Sequence, residues 1–157
     1  DRFVVKTSLG YPDEAGEREL VDRRAARTDR TPDVEPSPGV DPASLRRAPE
    51  AVHVADEVRD YVVDLARATR EDRRVETGVS PRGTQRLFEA ARALAVVRGR
   101  EYVTPDHVAE IAPVVLAHRL VLTPDARVED VAKDVVVEDL LDEVAVPTVT
   151  YRAAPAE

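Results

Sequence analysis

Apolar residues recur with helical spacing through the central half of this chain. Val58, Tyr61, Val62 and Leu65 fall at i, i+3, i+4 and i+7, the stripe that one face of an amphipathic α-helix presents to a core. Leu87, Ala91, Leu94 and Ala95, with Phe88 beside them, predict a second such helix, and Val108, Ile111, Ala112 and Val115 a third. Three stripes of this kind can bury one another as a small bundle. Upstream, Ala43 to Val52 reads as a short helix interrupted by Pro49. Asp13 to Thr28 reads as a charged surface helix, its acids early and its arginines late as the helix dipole favours. Downstream, Val137, Leu140, Leu141 and Val144 predict a last short helix before a Pro- and Ala-rich tail from Pro147, expected to be mobile.

Two stretches break the helical period. Phe3-Val4-Val5-Lys6-Thr7-Ser8-Leu9 is rich in β-branched residues, is closed by Gly10-Tyr11-Pro12 and predicts a strand. No second strand of similar strength follows, and one strand cannot satisfy its own hydrogen-bonding groups. It is therefore expected to belong to a sheet whose other strands precede residue 1. Thr31 to Pro42 holds four prolines and Gly39, the composition of a linker or extended loop.

The helix starts carry the most specific local chemistry. Ser80 is a good N-cap and Pro81 suits the first helical position, which puts Arg82 and Gly83 at the second and third. A cation there opposes the partial positive charge of the helix N-terminus, at a cost of about 0.3 to 1 kcal/mol. Unpaired backbone N–H groups and a guanidinium together make a site for an anion, phosphate being the usual one; an arginine-rich composition is the plain alternative. Thr104-Pro105-Asp106 opens the next helix in the ordinary way, with an acid after the proline. Pro113 is expected to kink that helix, and His118-Arg119 at its end suits the negative C-terminal pole without needing a ligand.

Composition narrows the function classes. The net charge of −8 argues against a nucleic-acid backbone as the main partner. Cysteine is absent, which excludes disulfides and thiolate metal sites. His53, His107 and His118 show no close ligand spacing, so no metal site is expected. No apolar run approaches a membrane span and no signal peptide opens the chain, which predicts a cytoplasmic protein. Methionine is missing even at position 1, so the chain reads as a piece of a larger protein. It contains no G-x-S-x-G nucleophile elbow and no G-x-x-x-x-G-K-[ST] phosphate loop.

Asp1-Arg2-Phe3 leading to Gly10-Tyr11-Pro12, Tyr61 to Arg70 with Ala68-Thr69-Arg70, and Gly78 to Arg82 continuing to Arg98-Gly99-Arg100-Glu101-Tyr102-Val103-Thr104-Pro105 are the strongest signatures. With Val115 to Leu120, they make the chain resemble the C-terminal part of MoxR-family AAA+ ATPases over roughly residues 1 to 122. The resemblance implies a mainly α fold: a small helical bundle, the AAA+ lid, preceded by one β-strand and a helix left from a truncated α/β core. The implied division is 1–30 for the end of that core, 31–42 for a Pro-rich linker, 43–122 for the lid and 123–157 for a C-terminal extension. Arg2 then matches an arginine finger acting on a neighbouring subunit's nucleotide, and Arg82 a sensor 2 residue, with Ser80, Pro81 and Gly83 framing it. ATP and Mg²⁺ are expected as cofactors of the full-length parent, neither held by this stretch alone, which lacks the phosphate loop and acidic metal-binding motif and should be inactive by itself. The implied partners are neighbouring subunits of a ring, expected to be a hexamer, and a protein substrate that the sequence does not identify. The rival expectation is a stand-alone helical interaction module with no nucleotide role.

Overall fold

Helical periodicity becomes real packing only where each apolar stripe finds another. In a computed structural model, which describes residues 3–27, 39 and 41–149, the chain divides into two compact units. One comprises residues 7–41 and the other residues 1–6 with 42–157.

The smaller unit contains α1 (Glu14–Ala26), whose N-cap Asp13 accepts a hydrogen bond from Gly16 N at 2.8 Å. Glu14 and Glu17 lie in its first turn and Arg23 and Arg24 in its last, and none of its residues is buried. The helix expected over Asp13 to Thr28 is thus present, stabilised by its cap and its charge order rather than by a core. The expected Pro-rich linker falls mostly outside the described residues.

The larger unit holds the bundle. It runs α2 (Pro42–Arg47), a 3-10 turn (Ala48–Ala51), α3 (Asp56–Glu71), β1 (Val75–Thr77), α4 (Pro81–Val97) and α5 (Pro105–Leu116). A second 3-10 turn (Ala117–Arg119), β2 (Val121–Leu122), α6 (Pro124–Val128) and α7 (Lys133–Glu143) complete it. The predicted stripe of α3 is buried at all four positions, with Ala66 and Thr69 extending it. In α4, Leu87, Ala91 and Ala95 are buried, joined by Gly83 and Ala90, whereas Leu94 and Phe88 are half-buried. The small residues on this face let α5 approach closely, and α4 against α5 is the most extensive helix pair of the fold. Val108, Ala112 and Val115 fill the other side of that contact.

The end of α4 is set by Gly99, whose φ of 66° suits glycine. Arg100 N donates to Ala95 O and Gly99 N to Val96 O, a Schellman closure. Thr104 caps α5 reciprocally with His107: the Thr104 hydroxyl accepts from His107 N, and His107 Nδ1 accepts from Thr104 N at 3.1 Å. Before α3, His53 N donates to Glu101 O and Val103 N to His53 O, so the chain leading into α3 is stitched to the loop between α4 and α5.

The structure corrects two expectations, the strand over residues 3–9 and the loop assignment of Pro42, and adds detail at Pro113 and after residue 122. Residues 3–9 form no strand: among the described residues no strand pairs with them, and Lys6 N instead donates to Val114 O at 3.1 Å. Pro42 is the first residue of α2 rather than the end of a loop, as its fixed φ allows. Pro113 lies inside α5, as its place in the pattern predicts, and the helix continues to Leu116 because the proline removes one internal hydrogen bond while flanking core residues stay buried. After residue 122 the chain keeps contributing to the core, where Ala126, Val136, Val137 and Leu140 are buried. Arg74 helps to dock this last part, pairing with Asp72 at 2.7 Å and with Asp139 of α7. Its guanidinium holds the Asp72 carboxyl below the usual range.

The short antiparallel pair β1–β2, with Val75 opposite Leu122 and Thr77 opposite Val121, was not foreseen. Two- and three-residue strands carry no readable alternation. Among the described residues no helix is long and apolar enough to cross a membrane.

Burial lowers the pKa of both His107 and His118, with Arg119 adding to the effect at His118. Groups with a depressed folded pKa stabilise the fold fully above their unfolded value of about 6.5 and lose that contribution as pH falls through the folded value. Thermal melting should therefore shift down between about pH 7 and pH 5.5, before most carboxylates titrate. His107→Gln, which keeps a capping side chain, should flatten part of that slope; a melting temperature constant over this range would contradict the assignment.

Candidate functional site

Ser80, Pro81, Arg82 and Gly83 all lie where the chain enters α4, as their order requires. Ser80 is the N-cap, with extended backbone and a hydroxyl that accepts from Gly83 N at 3.3 Å, and Pro81 occupies the first turn. Arg82 is exposed and, among the described residues, has no ion pair or side-chain hydrogen bond. Of the four amides at this terminus, Pro81 has no hydrogen and Gly83 is bound by the cap, so the backbone can offer an anion at most those of Ser80 and Arg82. The terminus thus has fewer free donors than its sequence suggests, and more of its capacity for an anion rests on the Arg82 guanidinium.

The loop that precedes this terminus is clamped from α3. The Thr69 hydroxyl, 1 % exposed, donates to Ala66 O at 2.7 Å and accepts from Val79 N at 2.9 Å. Arg70 Nε donates to Val79 O at 2.7 Å. Both backbone groups of Val79 are therefore satisfied by consecutive residues of one helix. Gly78 permits this contact: a Cβ there would lie 2.7 Å from Thr69 O and from the Arg70 side chain. Gly83 is required for a second reason, since its Cβ would meet Val79 Cγ1 at 2.5 Å and Arg119 Cδ at 3.0 Å.

Arginines collect around the site in an otherwise acidic chain. Arg86 follows one turn after Arg82 and pairs with Glu89 at 2.6 Å. Arg119 reaches in from the turn after α5, its pKa lowered by burial first and by Arg86 second. His118 Nδ1 lies 3.2 Å from Val114 O and Arg119 bonds Val115 O, so both side chains meet the carbonyl end of α5 as their position suggested. Arg119 goes further, donating to Val4 O at 3.1 Å and to Phe3 O. Nothing in the spacing of Arg119 signals that reach across more than a hundred residues. Arg2 lies outside the described residues. Among the described residues no cluster of three His, Asp or Glu side chains could hold a metal ion.

Comparison with known proteins matches this region to one architecture. The AAA lid domain family matches residues 67–140, a span that contains Thr69, Arg70, the whole of α4 and Arg119. The chain is 37 % identical to the chaperone MoxR1 of Mycobacterium tuberculosis over 158 aligned positions, covering 95 % of this chain and 41 % of that protein. It is 33 % identical to the uncharacterized protein YeaC of Bacillus subtilis over 148, covering 94 % and 46 %. A crystal structure of a candidate ATPase from Cytophaga hutchinsonii superposes with a TM-score of 0.81 at 26 % identity, over 94 % of this chain and 47 % of that one. The chain thus spans less than half the length of the relatives it matches.

The clamp predicts a measurable cost. Thr69→Val keeps the shape but leaves the buried Val79 amide without an acceptor, which should destabilise by about 1 to 3 kcal/mol. Chemical denaturation would show a lowered midpoint with an unchanged slope; wild-type stability would mean that Val79 is satisfied in another way.

Proposed function

We propose that this chain, which belongs to the MoxR family of AAA+ ATPases as their C-terminal, lid-bearing part, senses bound ATP through Arg82 and acts on a neighbouring subunit's nucleotide through Arg2. One observation carries the reading: an exposed arginine, without a protein partner among the described residues, stands in the first turn of a helix whose start is immobilised by Thr69, Arg70 and Gly78. A cation in that turn opposes the helix dipole. An incoming phosphate would reverse the sign of that term.

The role is electrostatic. In the parent protein ATP and Mg²⁺ supply the transferable phosphoryl group and the metal that shares its charge. Arg82 would donate to phosphate oxygens, and Ser80, Pro81 and Gly83 would fix where it points. Only the ATP state presents γ-phosphate oxygens, so their capture would bias the orientation of the lid. Arg2, as a finger, would stabilise charge developing on the phosphoryl group of the next subunit in a ring. The lid's changing orientation would then drive remodelling or maturation of a partner protein, a role consistent with the chaperone name of one relative.

Arg82→Ala in the full-length protein should lower ATP turnover by about a hundredfold, the scale of losing one preorganised charge-stabilising donor, with little change in melting temperature because the side chain is exposed. Unchanged turnover would sink the sensor role and favour a helical interaction module without a nucleotide function. Arg2→Ala should cost on the order of a thousandfold. Mixing with subunits that keep Arg2 but lack a working phosphate loop should partly restore activity. Absence of rescue in mixed rings would count against action across a subunit boundary.

A further inference from the structure

We propose that Arg119 is a positioning residue that couples the segment following Arg2 to the start of α4, so that lid orientation and finger placement change together. The inference rests on the finger and sensor reading above and extends it to a residue with neither role.

The geometry is specific. From the turn after α5, the Arg119 guanidinium donates to the carbonyl oxygens of Phe3 and Val4, while another bond holds it to Val115 O at the end of α5. Its aliphatic stem lies across Gly83, where a Cβ would stand 3.0 Å from Arg119 Cδ. One side chain therefore touches the residue next to Arg82 and the residue next to Arg2. A second tether, Lys6 N to Val114 O at 3.1 Å, fixes the same segment to α5 two residues further on. In the sequence Arg2 directly precedes Phe3, whose carbonyl Arg119 holds.

The chemistry favours arginine at this position. A planar fork can serve several carbonyls at once, which a lysine ammonium on a flexible stem does less well. Burial and Arg86 both work against the charge of Arg119, so its placement costs free energy that the carbonyl bonds must offset. Gly83 contributes by leaving room for the stem. Any rotation of α4 and α5 that followed phosphate capture at Arg82 would pull on Phe3 and Val4 through these bonds. The finger offered to the next subunit would then depend on the nucleotide state of its own.

The test uses the full-length protein with Arg119→Gln and Arg119→Lys, each alone and combined with Arg2→Ala. Arg119→Gln should lower kcat for ATP about tenfold with KM nearly unchanged, and Arg119→Lys by less. In the Arg2→Ala background the Gln substitution should cause no further loss, because both act through one finger. Mixing with subunits that keep Arg2 and Arg119 but lack a working phosphate loop should partly restore the Arg119→Gln variant. Hydrogen exchange at the Lys6 amide, read in Arg119→Lys should Arg119→Gln not fold, should speed up while exchange within α3 does not. A loss that adds in full to that of Arg2→Ala, or unaltered exchange at Lys6, would overturn the coupling while leaving the finger intact. Full turnover in Arg2→Ala itself would remove the finger reading and this inference with it.

Discussion

A single buried hydroxyl fixes the loop that leads into α4. Thr69 satisfies Ala66 O on its own helix and Val79 N on the next, and Arg70 takes the carbonyl of the same Val79. Removing a buried backbone group's partner costs much more than an average hydrogen bond contributes, so the loop has little freedom to choose another path. Gly78 makes the contact possible, because any side chain would collide with the end of α3. The direction of α4, the exposure of Arg82 and the contact between Gly83 and Arg119 all follow from this junction.

The bundle around the junction is held together by small and medium residues rather than by aromatic rings. Gly83, Ala90, Ala91 and Ala95 line the buried face of α4, and Val108, Ala112 and Val115 that of α5. Close helix approach replaces side-chain bulk, and dispersion across a short gap stands in for large buried rings. Among the described residues Tyr61 is the buried aromatic exception, its hydroxyl pKa raised by burial first and by Asp106 second. Such a packing scheme suits a body that moves as one piece, because interdigitated small residues leave few voids into which helices could slide.

Charge is distributed with a purpose that the net value hides. The chain carries an excess of acid, yet Arg82 and Arg86 lie one turn apart at the start of α4, Arg119 packs against Gly83 between them, and Arg70 bonds the loop just before. Arg74, by contrast, lies between two carboxylates and stabilises the docking of α7. Arginine is thus used in two physical ways in one domain: bonded where it joins elements, as at Arg74 and Arg119, and exposed without a partner among the described residues at Arg82.

Much of this was legible in the residues themselves. The helices α3, α4 and α5 follow from their 3.6-residue periods, and the start of α4 from Ser80 and Pro81, because capping and periodicity are local properties that one stretch of chain expresses without help. The exposed Arg82 could be singled out for the same reason: its conflict with the helix dipole is visible within four residues. The irregular course of residues 3–9, the β1–β2 pair, the burial of α7 and the reach of Arg119 were not legible. Each depends on a partner distant in sequence, and no pattern within a segment encodes which far carbonyl or apolar face will be its neighbour. Local chemistry chose the helices and the cation, while tertiary packing decided what holds them and what that cation faces, since only the folded chain brings α3, α5 and the first residues to the same place.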